Sequence, residues 1–305
     1  MKIKIQSLII LLVSALLVSA CSLPGLGGSS KNTIKISAMS TSESTTIAYI
    51  ISGLIEHETD YKVEIIGNMG SSIVQHQAMV QGEIDISSTR YTGTDLPGAL
   101  KIDPITDATE ALEVVQREFD KQFDQKWFDP YGFENTYAFT VTGDLARKEN
   151  LEKVSDIEPL ADLLRLGVDN SWLNREGDGY KGFVEKYGFE FNKAYPMQIG
   201  LVYKAVESGE MDVVLAYSTD GRIEAFDLKT LEDDLDFFPP YDASVVASNE
   251  ILAKHSGLEA VLNKLVGEID QEKMLLMNYE ADVKMKEPAI VAKEFLEENN
   301  YFEDK

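Results

Sequence analysis

The chain is nearly free of cysteine and poor in histidine. Cys21 is the only cysteine among 305 residues, so no disulfide can form within the chain and packing alone must hold the fold. The three histidines lie far apart, and no two of them have metal-ligand spacing. A catalytic triad could still assemble in space, but the sequence has no Gly-x-Ser-x-Gly elbow to support one. We therefore predict no enzyme, no metal and no cofactor, and we expect His57 and His255 to face solvent and His76 to be structural.

Basic residues are also scarce. Lys and Arg number 28 against 52 Asp and Glu, which gives a formal net charge of -24. Binding to nucleic acid needs clustered Lys and Arg to neutralise phosphates, so this acidity argues against a nucleic-acid partner. The acidity identifies no other partner, and its simplest consequence is solubility beside an anionic membrane.

Long apolar runs are absent except for one at the N-terminus. Residues 8–18 form an apolar stretch between a basic start and small residues, which is typical of an export signal and too short for the roughly 20 residues of a transmembrane helix. LVSAC, residues 17–21, has the form of a bacterial lipobox. We predict a signal peptide over 1–20, a lipid on Cys21 that anchors the chain at the membrane surface, and a tether over 21–31. The alternative is that Cys21 is only a small residue near the cleavage site.

Short β-rich runs alternate with amphipathic helices in the remainder, which indicates an α/β fold, and its length favours two lobes. Predicted strands lie at 31–38, 61–67 and 136–142, and predicted helices at 45–58, 71–81, 107–123, 155–164, 198–208, 270–281 and 287–298.

One segment is echoed later in the chain. AMVQGEIDISSTRY, ending at Tyr91, is similar to AVESGEMDVVLAY, ending at Tyr217. Ligands of open α/β sheets bind beyond the carboxyl ends of strands, so two lobes that each place a tyrosine there could face one another across a cleft. The alternative is that helix–turn–strand patterns repeat in any α/β protein.

Two other patterns favour ordinary structure. GDGYKG, residues 177–182, fits G-x-G-x-x-G, but no strand precedes it and Glu176 and Asp178 would repel phosphate, so we interpret it as a turn. The acidic cluster at 232–236 lacks the spacing of a calcium loop and is expected to be a solvated surface.

Tyrosines give a stronger signal. Tyr91, Tyr137, Tyr217 and Tyr241 all lie on or beside predicted strand ends or lobe crossings. Tyr241 follows two prolines that stiffen the backbone, which favours a ring held ready for stacking. The usual fate of a tyrosine is nevertheless to be half-buried with a solvated hydroxyl.

Four motifs, taken in order, resemble one family. RYTGTDL (90–96), WLNREGDGY (172–180), VLAYSTDGRI (214–223) and FFPPYDA (237–243) are similar to motifs of the osmoprotectant-binding lipoproteins of ABC importers, which capture glycine betaine, carnitine, choline and related quaternary ammonium compounds. The resemblance implies a two-lobed, periplasmic-binding-protein-like (type II) α/β fold with two crossing segments. Its lobes would be 32–136 with 243–305, and 137–242, closing by a hinge and presenting the solute to a membrane permease.

The resemblance also implies a ligand site. Tyr91, Tyr137, Tyr217 and Tyr241 would form a cage around the trimethylammonium head, which has no N–H donor and is attracted by ring faces at about 0.5–2 kcal/mol each. A micromolar site needs about 8 kcal/mol net, so the ligand's polar tail must also be held, and Thr94 is the candidate.

Thr94, Met39 and Arg90 affect which solutes the site is expected to accept and how it closes. An aspartate in place of Thr94 would resemble the choline-restricted type, whereas threonine favours betaine and carnitine. Met39 stands where relatives place a carboxylate-binding glutamine, so either a hydroxyl within 40–42 substitutes for it or the range of solutes differs. We expect Arg90 to be structural and to brace the closed state through an interlobe ion pair. The open alternatives are another small solute such as an amino acid, a cell-surface hydrolase, or a structural adhesin.

Overall fold

The computed structural model describes residues 33–175 and 177–302. The predicted signal peptide over 1–20, Cys21 and the tether over 21–31 lie outside these residues. In the described ranges, no helix is both long and apolar enough to cross a membrane.

The first five-stranded sheet contains the early strands and one late strand. Its strands are β1 (Thr33–Met39), β2 (Lys62–Met69), β3 (Ile86–Tyr91), β4 (Gln125–Trp127) and β10 (Ala243–Ser248). Their order is β2-β1-β3-β10-β4, with β1 parallel to β3 and with β10 antiparallel to both β3 and β4.

The second sheet contains the strands between β4 and β10. They are β5 (Tyr137–Thr142), β6 (Arg165–Asp169), β7 (Lys193–Met197), β8 (Val213–Tyr217) and β9 (Leu228–Thr230). Their order is β7-β6-β8-β5-β9, with β6 parallel to β7 and β8 and with β5 antiparallel to β8 and β9. The chain therefore passes between the sheets twice, from β4 to β5 and from β9 to β10, and the α/β fold class is confirmed.

Helices cover these sheets. They are α1 (Ser42–Glu58), α2 (Ser72–Val80), α3 (Thr92–Asp95), α4 (Ala108–Phe123), α5 (Gly143–Glu149), α6 (Asn170–Leu173), α7 (Tyr180–Tyr187), α8 (Ile199–Glu207), α9 (Arg222–Ala225), α10 (Asn249–Lys254), α11 (Leu258–Asn263), α12 (Gln271–Asp282) and α13 (Pro288–Glu298). Side chains at Thr41, Ser71, Asp107 and Asp270 accept backbone N–H bonds at helix starts, which is why α1, α2, α4 and α12 begin where they do.

An apolar stripe on α1 forms the centre of the first core. Ile47, Ile50, Ile51, Leu54 and Ile55 are fully buried. The helix packs against β2 and β3 on one side and against α12 and α13 on another, so the two C-terminal helices pack on the first sheet's side of the molecule.

Two local predictions are wrong. The α-helix predicted over 155–164 is a 3-10 helix, Val154–Leu160, because Pro159 lacks an N–H and the Ser155 N–H donates to Asp234 instead. His255, expected in solvent, is buried with its ring edge-on to Tyr61 at 4.2 Å between centroids, while His57 is exposed as predicted.

The other patterns have structural roles. Gly177–Gly179 form a bend that leads into α7, with α6 rather than a strand before it. The acidic cluster is only partly a solvated surface: Asp233 accepts bonds from the Tyr187 hydroxyl and the Phe238 N–H, and Asp234 accepts one from Ser155. In the part of the chain that the structure describes, no group of His, Cys, Asp and Glu could hold a metal ion.

Candidate functional site

Three of the four predicted tyrosines meet where the chain crosses between the sheets. Tyr137 begins β5 and Tyr217 ends β8, and the antiparallel register makes them direct cross-strand partners with ring centroids 5.3 Å apart. Tyr241, two residues before β10, lies edge-on to Tyr137 at 6.2 Å. Phe238 and Trp172 lie behind Tyr137, at 5.7 and 6.5 Å. The result is an aromatic cluster at the second crossing.

The RYTGT stretch holds the Tyr241 segment in place. The Thr92 hydroxyl donates to the Pro240 carbonyl at 2.8 Å, and the Thr92 N–H donates to the Asp242 carbonyl at 3.3 Å. The α-carbon of Gly93 faces the Tyr241 ring so closely that an added Cβ would lie 3.0 Å from Cε1. The start of α3, directly after β3, is therefore a wall against which Tyr241 rests.

Tyr91 is placed beside this cluster rather than in ring contact with it. It ends β3, next to Ala243 of β10, and its hydroxyl donates to Glu43 Oε1 at 2.5 Å. Among the described residues its ring makes no contact with the other three tyrosine rings. Asn135, in the first crossing, also donates to Glu43 Oε1, and its N–H donates to the Tyr241 carbonyl, so Asn135 links Tyr91 to the cluster.

Thr94 is half-buried in α3, three residues after Tyr91. Met39 is half-buried at the end of β1, where its N–H donates to the Ser44 hydroxyl. Of the hydroxyls that could replace a glutamine there, Thr41 caps α1 and Ser42 donates to Asp282 Oδ1, whereas Ser40 is exposed.

Arg90 is structural as expected, but its predicted interlobe ion pair is wrong. The guanidinium is fully buried and pairs with Asp95, five residues further along, while its Nε also donates to the Ser72 hydroxyl. It lies over the Phe119 ring at 5.3 Å. Since Asp95 is in α3, directly after β3, this ion pair stays within the part of the molecule built on the first sheet.

Arg175 connects the tyrosines, although no pattern in the sequence marks it apart from its place in WLNREGDGY. Its Nη2 donates to the Tyr137 hydroxyl at 3.0 Å, and its Nη1 donates to the Tyr241 hydroxyl at 3.1 Å. The guanidinium carbon lies 5.2 Å from the Tyr137 ring centroid, within cation–π range. Asp178 pairs with Arg175 and accepts a short hydrogen bond from the Tyr241 hydroxyl. WLNREGDGY thus contributes a cation and an anion to the site.

Burial keeps the four phenols protonated. Desolvation is the main cause that raises the pKa of Tyr91, Tyr137, Tyr217 and Tyr241 above the ordinary value, and the nearby Glu43 carboxylate adds to it for Tyr91. Neutral phenols retain both the ring faces and the hydroxyl donors. Asp178 pairs with the Arg175 guanidinium, while Asp169 acts on Tyr137 and Tyr217 and Glu43 acts on Tyr217, so acidic groups outnumber the one arginine and favour a cationic ligand.

A cavity of about 560 Å³ lies away from the tyrosines, at the outer edge of the first sheet between α4 and β4. Its lining is mostly polar and includes Arg117, Lys121, Lys126 and Asn249. It shares no lining residue with the aromatic cluster, so it does not compete as the site of an aromatic cage.

Two α/β halves, joined by two crossing segments and meeting at an aromatic cluster, are the architecture of a solute-binding protein. A family model for the substrate-binding domain of ABC-type glycine betaine transport systems matches residues 32–298, and the chain belongs to this family. It is the extracytoplasmic component that binds a solute for an ABC permease, and it performs no reaction.

Individual proteins agree with this assignment. The carnitine transport binding protein OpuCC of Listeria monocytogenes is 57% identical over 297 residues, which are 97% of this chain and 96% of that protein. The ergothioneine transport permease/ergothioneine binding protein EgtU of Helicobacter pylori is 34% identical over 258 residues, 84% of this chain and 46% of that protein. A crystal structure of a glycine betaine/carnitine/choline ABC transporter has a TM-score of 0.81 at 54% identity, covering 88% of this chain and all of that one.

Proposed function

We propose that this protein captures a quaternary ammonium osmolyte, such as carnitine, glycine betaine or choline, in a cage of Tyr91, Tyr137, Tyr217 and Tyr241. One observation carries the proposal: a guanidinium already lies 5.2 Å from the Tyr137 ring centroid, beside two further tyrosines, so the cluster accommodates a cation against a ring face. A trimethylammonium head offers no N–H donor and is recognised by such faces.

The cage needs help from other groups. At roughly 0.5–2 kcal/mol each, four rings contribute about 2–8 kcal/mol to binding. A micromolar dissociation constant corresponds to about 8 kcal/mol of net binding free energy. Because association and ordering of side chains also cost free energy, the rings alone are not enough. The Thr94 hydroxyl is the proposed donor to a ligand carboxylate. The positive charge of Arg175 adds attraction for the same tail, which favours betaine and carnitine over choline.

The lobes of the proposed closure are 32–136 with 243–305, and 137–242. The sheet membership of β4, β5, β9 and β10 supports these boundaries, because each boundary lies in a crossing. The two crossings run side by side, with a β-bridge between Glu134 and Asp242 that suits a hinge.

A lipid on Cys21, after removal of a signal peptide over 1–20, would anchor the protein at the outer face of the cell membrane through the 21–31 tether. The LVSAC motif supports this proposal. A Cys21→Ser protein is expected to leave the membrane fraction, and retention there would contradict the anchor.

Calorimetric titration with carnitine, glycine betaine, choline, ergothioneine and proline tests the ligand class. We expect the trimethylammonium solutes to bind and proline to bind weakly or not at all. Binding restricted to proline or α-amino acids would contradict the cage and favour the alternative of an amino-acid-binding protein.

Single Tyr→Ala variants test the cage itself. Each of the four should weaken binding by about threefold to thirtyfold, as expected from the loss of 0.5–2 kcal/mol per ring, without unfolding the protein. Tyr49→Ala is the matched control, since Tyr49 is 38% exposed on α1. Unchanged affinity in all four variants would refute the cage.

A further inference from the structure

Glu43 lies in the first turn of α1 and is only 3% exposed. Its carboxylate accepts four side-chain hydrogen bonds. Oε1 accepts from the Tyr91 hydroxyl at 2.5 Å and from Asn135 Nδ2 at 3.0 Å, while Oε2 accepts from the Thr219 hydroxyl at 2.7 Å and from Asn278 Nδ2 at 3.2 Å. A buried carboxylate needs such donors, because burial without them is costly.

The four donors come from different parts of the fold. Tyr91 ends β3 of the first sheet, Asn135 lies in the first crossing, and Asn278 belongs to α12. Thr219 follows β8 of the second sheet and is 1% exposed. Asn278 also donates to the Thr219 carbonyl at 2.9 Å, which holds the Thr219 loop against α12 as well.

The two carboxylate oxygens of Glu43 therefore have different roles. Oε1 fixes the hydroxyl of Tyr91 and thereby the orientation of its ring beside the aromatic cluster. Oε2 accepts from the Thr219 hydroxyl, and Thr219 is the one member of the four donors that lies on the side of the second sheet. If the second sheet moved away from the first, Oε2 would lose the Thr219 bond, which is stronger than a neutral hydrogen bond because its acceptor is a carboxylate.

We propose that Glu43 is a positioning residue that couples the orientation of Tyr91 to closure of the two lobes, with Thr219 as the latch from the opposite lobe. The inference rests on the proposed function, but it assigns Glu43 no contact with the ligand. It predicts that losing the Thr219 hydroxyl acts on the closed state, and so on ligand dissociation, rather than on encounter.

Thr219→Val is the sharpest variant, because valine keeps the shape of threonine and removes the hydroxyl. We expect the solute dissociation constant to rise about tenfold, mainly through faster dissociation in stopped-flow measurements. Thr46→Val is the matched control: Thr46 is fully buried on α1, and its hydroxyl has no hydrogen-bond partner among the described residues. Its affinity and dissociation rate should match those of the wild type.

Glu43→Gln tests the carboxylate. An amide has a single acceptor oxygen, so two of the four donors would face an NH₂ group, and the loss of affinity should exceed that of Thr219→Val. Tyr91→Phe keeps the ring and removes the donor to Oε1. In combination with Thr219→Val its effect should be non-additive, since both act through one carboxylate.

A ligand-independent readout separates this inference from the proposed function. Spin labels at Lys121→Cys on α4 and Lys181→Cys on α7, both exposed positions, report the distance between the two halves in a Cys21→Ser background. Without solute, Thr219→Val and Glu43→Gln should shift the distance distribution towards longer values, and Thr46→Val should not. Unchanged distributions in both variants would overturn the latch even if the tyrosine variants lose affinity. If no solute binds the wild type, the proposed function is contradicted. The spin-label distances without solute would still show whether Thr219 and Glu43 hold the two lobes together.

Discussion

Arg175 shows how much of the site depends on one side chain. It contacts the hydroxyls of Tyr137 and Tyr241 and pairs with Asp178, so it orders two rings while bringing a positive charge to their side. A quaternary ammonium head and a guanidinium repel each other, whereas a ligand carboxylate is attracted by the guanidinium. The two parts of a betaine-like ligand should therefore respond oppositely to Arg175.

Arg175→Gln is expected to weaken binding of carnitine and glycine betaine by about tenfold more than binding of choline, since only the former carry a carboxylate. Calorimetric titration of the three solutes measures this difference. Arg147→Gln is the control, because Arg147 pairs with Asp144 on an exposed helix. An equal loss for all three solutes would mean that Arg175 acts only by ordering the rings.

His76 gives a pH prediction at the same scale. Burial against Phe119 and Phe123 lowers its pKa to about 4, with Arg90 and Lys101 adding to the effect and Asp95 opposing it. The unfolded chain takes up a proton near pH 6.5, but the folded one does not. The stabilising contribution of neutral His76 is thus fully present above pH 6.5 and is lost as the pH falls towards 4.

Between pH 7 and pH 5 this loss should amount to about 2 kcal/mol of unfolding free energy. His76→Leu should reduce the pH dependence by that amount, measured by urea unfolding at both pH values. Carboxylates titrate equally in both proteins, so only the difference between them reports on His76. An identical pH dependence in the two proteins would contradict a buried neutral imidazole.

The residues of the site differ in how far the sequence could predict them. All four tyrosines stood out in the sequence because each lies on or beside a predicted strand end or lobe crossing, and Tyr91, Tyr217 and Tyr241 also lie within a family motif. Glu43 was not, because its partners Thr219 and Asn278 are 176 and 235 residues away along the chain. The only local signal was an acidic residue in the first turn of a helix at the carboxyl end of β1, where ligand sites commonly occur.

Among the elements, the contact between α3 and the second crossing determines where Tyr241 sits. An added Cβ at Gly93 would lie 2.7 Å from the Pro240 carbonyl oxygen and 3.0 Å from the Tyr241 ring, and neither the stiff proline segment nor the packed ring can yield easily. Gly93→Ala should displace Tyr241 and weaken solute binding by about tenfold or more, while the sheets stay folded.

Gly70→Ala is the matched control for this element. Nothing lies within 4 Å of a Cβ at Gly70, in the turn before α2, so its affinity should equal that of the wild type. Titration calorimetry and melting temperature together separate a local displacement from unfolding. Wild-type affinity in Gly93→Ala would mean that Tyr241 does not depend on the RYTGT wall.

Long helices were predictable to within a few residues, as α1, α4, α12 and α13 show. The four-residue helices α3, α6 and α9 were not, because so short a helix leaves no periodicity in the sequence. The 3-10 helix Val154–Leu160 escaped prediction because its backbone donors go to Asp234 and other distant groups.

At the scale of the whole molecule, β10 returns the chain from the second sheet to the first. It enters the first sheet between β3 and β4 after the entire second sheet has been completed, so both crossings end beside Tyr91 and Tyr137. Partial desolvation raises the pKa of both bridge residues, Glu134 and Asp242, and the Asp242 carboxyl adds to the rise for Glu134. The α/β class and two-part organisation followed from alternation and length, whereas the path of β10 required tertiary pairing that no local pattern records.

The central claim is that tyrosine faces recognise a permanent positive charge rather than a trimethyl shape. Titration of the protein with glycine betaine and with tert-butylacetate, its carbon isostere, separates the two directly, since both have the same carboxylate and the same bulk. We predict that the isostere, whose tert-butyl head is uncharged, binds at least about thirtyfold more weakly, as expected from the loss of about 2 kcal/mol or more of cation–π attraction. Equal affinities would contradict the cation cage.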